Sequence, residues 1–321
     1  MEISNHCRRK CAYCGLRAPN TKLRRYRMSI AEILDSTRLA ARLGYGTVVL
    51  QAGEDEALTS STVAEIIKSI RADDDAGGLA ITLSLGERSE EELAIWKQAG
   101  ADRYLLRFET SNRTLFRRIH PPVPGHKCDR MAILATLRKL GYEVGSGIMV
   151  GLPGQTHEDL ARDIEAFIEL DLDMIGIGPY VPHVQTPLAT AATAKRDQSP
   201  PTATMAHKVI ALTRLAIPDI NMPATTALNA IDGLTGYEVA LSRGANVVMP
   251  DLTPPQYRCL YDIYPMNRSV DSDPVLFDRR IRLRIQTIGR DIATGRGDSY
   301  HYIRRAGTRH GPTLVPEGVS K

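Results

Sequence analysis

Three cysteines near the start of the chain, spaced C-x3-C-x2-C, constrain this sequence more than any other feature. They are Cys7, Cys11 and Cys14. A [4Fe–4S] cluster normally takes four cysteine ligands, so three thiolates on one short loop would leave one iron open to a ligand that is not protein. A structural zinc site usually needs four Cys or His ligands in two pairs, and His6 is poorly placed to complete such a set. The spacing therefore predicts a single [4Fe–4S] cluster held by three cysteines.

The composition is that of an ordinary globular protein and excludes several other classes. The 321 residues are 43% hydrophobic and 24% charged, and no apolar run approaches the ~18–20 residues that a membrane span needs. The 41 basic and 37 acidic side chains give a net charge of +4, which is too small to indicate a nucleic-acid partner. Of the five cysteines, Cys128 and Cys259 stand alone and are interpreted as reduced thiols. We expect no signal peptide and a cytoplasmic, reducing setting.

Short β-rich runs alternate with amphipathic helical runs along most of the chain. One helical run carries Ile133, Leu137 and Leu140 at helical spacing and stops at Gly141. Alternation of this kind predicts an α/β fold with a parallel sheet. The eight candidate strands are residues 2–6, 47–51, 79–85, 103–108, 144–150, 174–178, 222–226 and 245–249. Eight such units in ~250 residues predict a complete (β/α)8 TIM-type barrel over residues 1–254, with a doubly wound open sheet as the rival fold.

The pattern changes after residue 254, and residues 255–321 are predicted to form a helical and irregular C-terminal extension that packs on the barrel. Residues 276–288 are interpreted as a helix that covers the barrel mouth. The last ~20 residues are rich in glycine and proline, and we expect them to be disordered.

Polar or glycine-rich residues follow every predicted strand. In a TIM barrel the active site forms at the carboxyl ends of the strands, so these runs predict one shared site. The runs are the cysteine loop and residues 51–55, 82–87, 107–110, 151–155, 178–183, 225–226 and 249–251. Arg107 and Glu109 lie two apart on one predicted strand and therefore point to the same face. A buried charge must be paired, so this pair indicates a functional site.

The cysteine loop resembles that of the radical S-adenosylmethionine (SAM) superfamily, and several separated runs resemble the HydE family of [FeFe]-hydrogenase maturases within its biotin-synthase-like branch. The runs are SNHCRRKCAYCGLR (4–17), VLQAGED (49–55), TLSLGE (82–87), ADRYLLRFET (101–110), MVGLPGQT (149–156), IGIGPY (175–180), PATTA (223–227) and GANVVMP (244–250). This resemblance implies that the open iron binds the amino and carboxylate groups of SAM. It also implies that electron transfer to the sulfonium cleaves SAM to methionine and a 5′-deoxyadenosyl radical.

By the same resemblance, a set of residues at the strand ends is expected to hold SAM. The set is Tyr13, Ala52, Gly53, Glu54, Arg107, Glu109, Arg130 and Ile177. Tyr13 and Ile177 would contact the adenine, and residues 52–54 the methionyl amine. Glu109 is suited to accept hydrogen bonds from the ribose hydroxyls, and Arg130 could grip the methionyl carboxylate with two N–H groups. Other interpretations stay open: residues 52–54 could form only a turn before the next helix, and Arg130 could lie on a helix surface.

The substrate is expected to lie deeper in the barrel. The candidate contacts are Gln51, Thr82, Ser84, Arg103, Thr225, Thr226 and Met249, with Tyr257 or Tyr261. Arg103 opens its strand, so a salt bridge at the barrel floor is the alternative for it. Thr225 and Thr226 could instead satisfy strand ends. The resemblance implies an organometallic iron–cysteine substrate carrying CO and cyanide, an electron donor such as ferredoxin or flavodoxin, and other hydrogenase maturases as partners.

Two residues depart from the family pattern. Phe108 stands where the family has a histidine, and Ile148 stands where a smaller polar residue is expected. Both are expected to make the substrate region less polar. A HydE-like relative with another substrate, such as a methylornithine-synthase-type mutase, therefore remains the alternative.

Cysteine number and the length of the first segment give further expectations. No cysteine follows Cys259, so one cluster only is expected, and biotin synthase, which needs extra cysteines in the barrel, is disfavoured. An iron–sulfur carrier is the non-enzyme alternative, but a carrier has no use for SAM-type strand ends. The segment before the cysteine loop is shorter than in the family, which predicts either an open barrel floor or a trimmed form of the protein.

Overall fold

The computed structural model describes residues 1–125, 129–191, 197–265 and 273–310, and Cys128 lies outside the described residues. Six parallel β-strands form one sheet in sequential order from β1 to β6. They are β1 (Glu2–Ser4), β2 (Thr47–Ala52), β3 (Ala80–Ser84), β4 (Arg103–Leu105), β5 (Glu143–Val150) and β6 (Met174–Pro179). The parallel α/β order predicted from the sequence is confirmed.

Helices follow the strands and cover the sheet. They are α1 (Ile30–Arg42), α2 (Ser60–Arg71), α3 (Glu90–Ala99), α4 (Arg113–Ile119), α5 (Arg130–Lys139), α6 (His157–Glu169), α7 (Ala203–Ala216), α8 (Thr226–Asp232), α9 (Gly236–Ser242), α10 (Pro255–Arg258), α11 (Pro274–Thr287) and α12 (Tyr300–His310). Each helix from α1 to α7 begins after a Ser, Thr, Asn or Asp whose side chain accepts a hydrogen bond from the first turn. Such caps satisfy backbone N–H groups that have no partner within the helix. None of the helices described is long and apolar enough to cross a membrane.

Strand alternation gives the sheet a helix-facing side and an inward-facing side. Tyr104 is fully buried and stacks on Trp96 of α3, which identifies the helix-facing side. Phe108 packs on Phe167 of α6 with the ring centroids 5.4 Å apart, and Ile148 is fully buried in the same apolar core. The prediction that Phe108 and Ile148 make the substrate region less polar is therefore wrong, because both side chains pack under the helices.

The two remaining predicted strands make single bridges instead of strands. Residues 221 and 224 each make one parallel bridge to β6, and Pro223 makes one to Val247. Pro223 has no N–H to donate, and α8 begins at Thr226, so the pairing does not extend. Among the described residues, the sheet therefore has six strands rather than the eight expected.

The C-terminal extension covers the end of the sheet where the strands begin. The hydroxyl of Thr47 donates to the carbonyl oxygen of Arg296 at 2.7 Å. The backbone N–H of Ser299 donates to the carboxylate of Glu143 at 2.9 Å. The barrel floor that was predicted to be open is therefore covered by residues 295–299.

Arg103 lies at this floor and not in the substrate region. Its guanidinium is bonded to Glu143, and it donates to Asp298 at 2.5 Å and to the hydroxyl of Thr47 at 2.6 Å. The side chain is 5% exposed. These bonds hold Arg103 at the opposite end of the sheet from the cysteine loop, so its assignment as a substrate contact is wrong.

Helix α11 also lies near the floor. Arg282 donates to the carbonyl oxygen of Leu43 at 2.7 Å, and Asp278 accepts from the hydroxyl of Tyr45 at 2.5 Å. Because Leu43 and Tyr45 precede β2, the interpretation of this helix as a cover for the barrel mouth is wrong. Helix α12 occupies the first part of the tail that was expected to be disordered, and residues 311–321 lie outside the described residues.

Candidate cofactor site at the carboxyl ends of the strands

The cysteine loop follows β1 and lies at the carboxyl ends of the strands. Arg25 holds it in place, since its guanidinium donates to the carbonyl oxygens of Asn5 at 2.5 Å and Leu16 at 2.8 Å. The backbone N–H of Ala12 donates to the carbonyl oxygen of Ile119 at 2.7 Å. The loop is thus fixed by contacts within it and by contacts to distant parts of the chain.

The thiols of Cys7, Cys11 and Cys14 are free. Burial raises the pKa of each thiol, that of Cys14 to about 12, so metal binding must displace their protons. In the described part of the chain, no three His, Cys, Asp or Glu side chains converge closely enough to hold a single metal ion. In a cubane cluster each cysteine would bind a separate iron, and three thiols on one loop are a donor set of the kind that such a cluster takes.

Gly53 lets the cysteine loop approach the end of β2 closely. A Cβ at this position would lie 2.7 Å from the Cβ of Cys7. Glu54 is buried, and its carboxylate pairs with the guanidinium of Arg9 at 2.5 Å. These contacts assign Gly53 and Glu54 to the packing of the loop. The contact of residues 52–54 with SAM stays a prediction.

Glu87, which the sequence analysis missed, is the centre of a buried ion-pair network beneath the loop. Its carboxylate accepts from Arg9 at 2.7 Å and Arg130 at 2.8 Å, and it lies 2.9 Å from Nε2 of His120. Burial alone would raise the pKa of Glu87, but the His120 ring, Arg130 and Arg9 lower it well below its usual range. The carboxylate is therefore ionised at neutral pH. Glu87 ends the polar run 82–87 after β3, and this position could have identified it as a candidate site residue.

His120 was also missed, and it joins this network to the cysteine loop. It follows α4, and its Nδ1 lies 3.0 Å from Sγ of Cys11. Burial and the charge of Arg130 lower the pKa of the ring. No spacing pattern in the sequence marks His120, because 109 positions separate it from Cys11 and only the fold brings them together.

Arg107 and Glu109 form the predicted ion pair, but they do not lie on a strand. β4 ends at Leu105, and Glu109 has a φ of 64°, which is uncommon for a residue other than glycine. Nε of Arg107 lies 3.2 Å from the carboxylate of Glu109, and the hydroxyl of Tyr13 donates to the same carboxylate at 3.5 Å. Backbone strain of this kind often marks a functional site. The structure brings these three side chains together beside the loop, and their roles in SAM binding stay predictions.

Arg130 opens α5 and is buried, which excludes its interpretation as a surface arginine. Its Nε donates to Glu87 at 2.8 Å, and its Nη1 donates to the carbonyl oxygen of Arg107 at 2.5 Å. Nη1 also lies 4.0 Å from the carboxylate of Glu109. Its Nη2 lies 3.3 Å from both ring nitrogens of His120, so all three nitrogens have partners within the protein. A grip on the methionyl carboxylate stays a prediction.

Ile177 does not lie on the inward-facing side. It is in register with Ile148, and residues in register on neighbouring strands point to the same side. Its side chain is 1% exposed and belongs to the apolar core under the helices. The side chain of Ile177 therefore packs in the core, and a contact of Ile177 and its neighbours with the adenine stays a prediction.

Gln51, Thr82 and Ser84 share the inward-facing side of β2 and β3. Leu83 is in register with the helix-facing Tyr104, so its neighbours Thr82 and Ser84 face inward. Gln51 is in register with Ser84. The hydroxyl of Thr82 is buried and has no hydrogen-bond partner in the described ranges, which is unusual in a folded protein. All three stay predicted substrate contacts.

Thr225 and Thr226 bond to the protein, as the alternative interpretation expected. The hydroxyl of Thr225 donates to the carbonyl oxygen of Ile177 at 3.2 Å, and the hydroxyl of Thr226 is bonded to that of Tyr264. Met249 is partly exposed. A substrate contact for Thr225, Thr226 or Met249 stays a prediction.

The two tyrosine candidates have different surroundings. Tyr261 is buried, and its hydroxyl accepts from the amide of Gln51 at 3.1 Å, so it lies beside the inward-facing set. Tyr257 stacks on Tyr26 with the ring centroids 4.5 Å apart, and its hydroxyl donates to Glu32 of α1 at 2.9 Å. Tyr257 is therefore wrong as a substrate contact, because its ring and hydroxyl are both used outside the inward-facing side.

Similar proteins support the interpretation of the cysteine loop. The HydE maturase subunit for [FeFe] hydrogenase from Thermotoga maritima is 48% identical over 265 residues, which cover 83% of this chain and 72% of that protein. A 3-methylornithine synthase from Methanosarcina barkeri is 27% identical over 255 residues, which cover 78% of this chain and 68% of that protein.

Solved structures show a similar fold. A methylornithine synthase structure matches with a TM-score of 0.75 at 22% identity, over 95% of this chain and 84% of that one. A structure of HydG, a maturase of the [FeFe]-hydrogenase, matches with a TM-score of 0.70 at 17% identity, over 89% of this chain and 62% of that one. The profile of the Radical SAM superfamily matches residues 1–167, the part that carries the cysteine loop and the first five strands. On this match and on its similarity to HydE, the chain belongs to the radical SAM superfamily.

Proposed function

We propose that this radical SAM enzyme is a HydE-type maturase that holds one [4Fe–4S] cluster on Cys7, Cys11 and Cys14. The observation that carries the proposal is three free thiols on one loop at the strand ends, in a chain 48% identical to a HydE maturase. Soft thiolates are the usual ligands of iron–sulfur clusters, so the donor set fits. When bound, the cluster supplies the electron that cleaves SAM and so yields the 5′-deoxyadenosyl radical.

The side chains beside the loop are proposed to hold SAM. Glu109 offers a carboxylate next to Tyr13, and Arg107 balances its charge, so the ribose hydroxyls can donate to Glu109. Tyr13 is the aromatic available to the adenine. The backbone of residues 52–54 is proposed to accept from the methionyl amine. Arg130 is proposed to donate to the methionyl carboxylate, while its Nε remains bonded to Glu87.

The substrate is proposed to bind on the inward-facing side of the sheet, below the loop. The unpartnered hydroxyl of Thr82, with Gln51 and Ser84 beside it, offers hydrogen bonds to a polar molecule. The inward positions of β5 and β6 carry no side chains at residues 145, 147, 176 and 178, which are glycines. The side chains of Leu105 and Met174 lie against Gly145, and that of Thr225 lies against Gly178, so these glycines allow close packing. The substrate proposed for this side of the sheet is an iron–cysteine unit with CO and cyanide ligands.

We extend the proposal to the surroundings of the site. Residues 221–224 and 247, with their single bridges, are proposed to complete an eight-membered barrel within residues 1–254, on which residues 255–321 pack. We propose a ferredoxin or flavodoxin as the electron donor and other hydrogenase maturases as partners. We propose the cytoplasm as the compartment. The free thiols of the loop agree with a reducing compartment.

Anaerobic reconstitution tests the proposal. We expect about four irons per chain, and a reduced-state EPR signal that changes when SAM is added. Cys11→Ala should abolish both, whereas Cys259→Ala, which removes an exposed free thiol outside the loop, should abolish neither. A full cluster in a variant lacking Cys7, Cys11 and Cys14 would contradict the proposal.

Product analysis separates the candidate activities. Formation of 5′-deoxyadenosine with dithionite and SAM distinguishes an enzyme from an iron–sulfur carrier. Acceleration by a small thiol-derived carboxylate, such as a thiazolidine or an S-substituted cysteine, supports the HydE-type substrate. A methylornithine-synthase-type mutase is the second candidate, because one such synthase is 27% identical over 78% of the chain. Turnover of lysine without a response to any sulfur compound would favour it.

A further inference from the structure

The positive charge of this chain is concentrated around the cysteine loop. Residues 3–31 and 110–125 hold 11 of the 41 basic side chains and none of the 37 acidic ones. The rest of the chain is left with 30 basic and 37 acidic side chains, a net charge of −7, although the whole chain has a net charge of +4. The small overall charge therefore conceals two strongly basic segments.

The fold places these two segments side by side. The backbone N–H of Ala12, in the cysteine loop, donates to the carbonyl oxygen of Ile119 at the end of α4 at 2.7 Å. Leu115 and Ile119 of α4 belong to the same buried apolar cluster as Ala12, and Tyr13 packs against this cluster. The exposed face of α4 therefore continues the outer surface of the cysteine loop.

This shared outer surface carries exposed basic side chains, and we call it the basic surface. Its members are Lys10, Lys22, Arg113 and Arg117. Lys10 directly precedes Cys11, and Lys22 is tied to the loop through Asn20, which accepts from the N–H of Lys22 at 3.3 Å and donates to the carbonyl oxygen of Gly15 at 2.8 Å. Within the described ranges, none of the four members forms an ion pair with an acidic side chain.

The carboxylates beside the cysteine loop do not neutralise the basic surface, because other arginines bind them. The pairs are Glu54 and Glu87 with Arg9, Asp55 with Arg27 and Glu56 with Arg8. The side chains of Glu54, Glu87 and Asp55 are also buried. Negative charge at this end of the molecule is therefore paired, and positive charge is left facing the solvent.

Arg113 and Arg117 lie where their charges are unfavourable for the helix. They are four positions apart on α4, so they are neighbours on the helix surface and repel each other. Arg113 is also the first residue of α4, where a positive charge opposes the helix dipole. Their placement costs stability, which indicates that these charges serve a partner of opposite charge.

We propose that the basic surface docks an acidic electron-carrier protein. The inference rests on the proposed function and deepens it, because a cluster on this loop must receive single electrons. The carrier is oxidised by one electron, and this electron reduces the [4Fe–4S] cluster from the 2+ to the 1+ state. Lys10 adjoins the ligand Cys11, so a carrier docked here lies close to the cluster, and electron transfer slows steeply with distance. A nucleic acid would also complement this charge, but it could not supply the electron.

Paired charge reversals test the inference in the reconstituted enzyme. The α4 variant combines Arg113→Glu with Arg117→Glu. The control variant combines Arg279→Glu with Arg280→Glu, which makes the same change in net charge at exposed positions of α11 near the floor. Titration calorimetry at low ionic strength gives the Kd of an oxidised acidic ferredoxin. We expect this Kd to rise roughly tenfold in the α4 variant, because complementary charge is replaced by like charge, and to stay close to the wild type in the control.

Two further measurements keep the test independent of how the variants fold. Formation of 5′-deoxyadenosine driven by dithionite needs no docked protein, so both variants should match the wild type, whereas the KM for reduced ferredoxin should rise only in the α4 variant. The Kd of the wild type should itself rise with salt, and at about 1 M salt, where charges are screened beyond about 3 Å, the wild type and the α4 variant should converge.

The outcomes separate the inference from the proposed function. Equal Kd values in the wild type and the α4 variant, or a wild-type Kd that does not respond to salt, would overturn the inference and leave the proposed function intact. A random-sequence oligonucleotide that binds the wild type but not the α4 variant, with the ferredoxin Kd unchanged, would assign the basic surface to nucleic acid instead. A wild-type chain that takes up no cluster would overturn both.

Discussion

Gly53 shows how a missing side chain shapes the site. A Cβ there would lie 2.7 Å from the Cβ of Cys7, which is too close for two carbon atoms that are not bonded. The cysteine loop and the end of β2 can therefore approach each other only because residue 53 is a glycine. The sequence analysis placed residues 52–54 at the methionyl amine of the cofactor. The close approach of Gly53 to Cys7 was not predicted, because the path of the loop could not be derived from local pattern.

Gly53→Ala is therefore expected to displace the cysteine loop and reduce cluster loading. Iron per chain after reconstitution measures the effect, and we expect less than half of the wild-type content because the added Cβ pushes directly on Cys7. Gly78→Ala is the matched control, since a Cβ at Gly78 meets no atom within 4 Å. Equal loading in Gly53→Ala and Gly78→Ala would show that the loop tolerates the displacement.

Arg130 is expected to contribute to both the ion-pair network and SAM binding. Arg130→Ala should weaken SAM binding to the loaded enzyme by ~2–3 kcal/mol if the contact to the methionyl carboxylate is bidentate and charge-assisted. Titration calorimetry of the reconstituted protein measures this affinity. Arg117→Ala removes an exposed arginine of the preceding helix and should leave the affinity unchanged. Unchanged affinity in Arg130→Ala as well would confine Arg130 to the network around Glu87.

At the scale of elements, local signals mark where helices begin, whereas the ends of strands depend on contacts that form only in the folded chain. Helix starts carry capping residues such as Ser29 and Thr156, which act within a few residues of the chain and so are visible in the sequence. β4 was predicted too long, because its end depends on the positive φ of Glu109 and on its ion pair with Arg107. The predicted seventh strand does not form, because Pro223 lacks an N–H to donate to a neighbouring strand. This reason could be read from the sequence.

Asp163 of α6 links this helix to the segment after β4, and its ionisation should affect stability. Burial raises the pKa of Asp163 to about 6, although hydrogen bonds from Ser111 and Thr110 oppose the shift. The unfolded value is about 3.9, so the folded state binds the proton more tightly. The contribution of Asp163 to stability is therefore complete below pH about 4 and is lost as the pH rises through about 6.

Asp163→Asn should remove this pH dependence. Relative to the variant, the wild type is expected to lose up to about 3 kcal/mol of unfolding free energy between pH about 4 and about 7. Urea unfolding of both metal-free proteins at several pH values measures the difference. A difference that stays constant over this range would contradict the assignment of the raised pKa to Asp163.

At the scale of the whole molecule, the C-terminal extension and the barrel floor form one unit. Arg103 of β4 bonds to Glu143 of β5 and to Asp298, which lies 195 positions later in the chain. From the sequence, Arg103 could have been either a substrate contact or part of a salt bridge, because no local pattern marks a partner so far away in the chain. The carboxyl-end site was more predictable, since parallel strands bring all their ends to one edge. The floor depends on contacts that only the folded chain defines.

Glu143→Gln should destabilise the whole molecule without affecting the cofactor site. The side chains of Arg103 and Glu143 are 5% and 2% exposed, so losing the charge of Glu143 leaves a buried guanidinium partly uncompensated. We expect the unfolding free energy to fall by about 3 kcal/mol, measured by urea unfolding of the metal-free protein. Glu158→Gln removes one charge from a pair with Arg162 whose side chains are 73% and 65% exposed, and it should change stability by less than about 0.5 kcal/mol.

Both variants should take up wild-type amounts of iron, because the floor lies at the opposite end of the strands from the cysteine loop. Equal stability of the two variants would show that the floor is held mainly by other contacts of the extension.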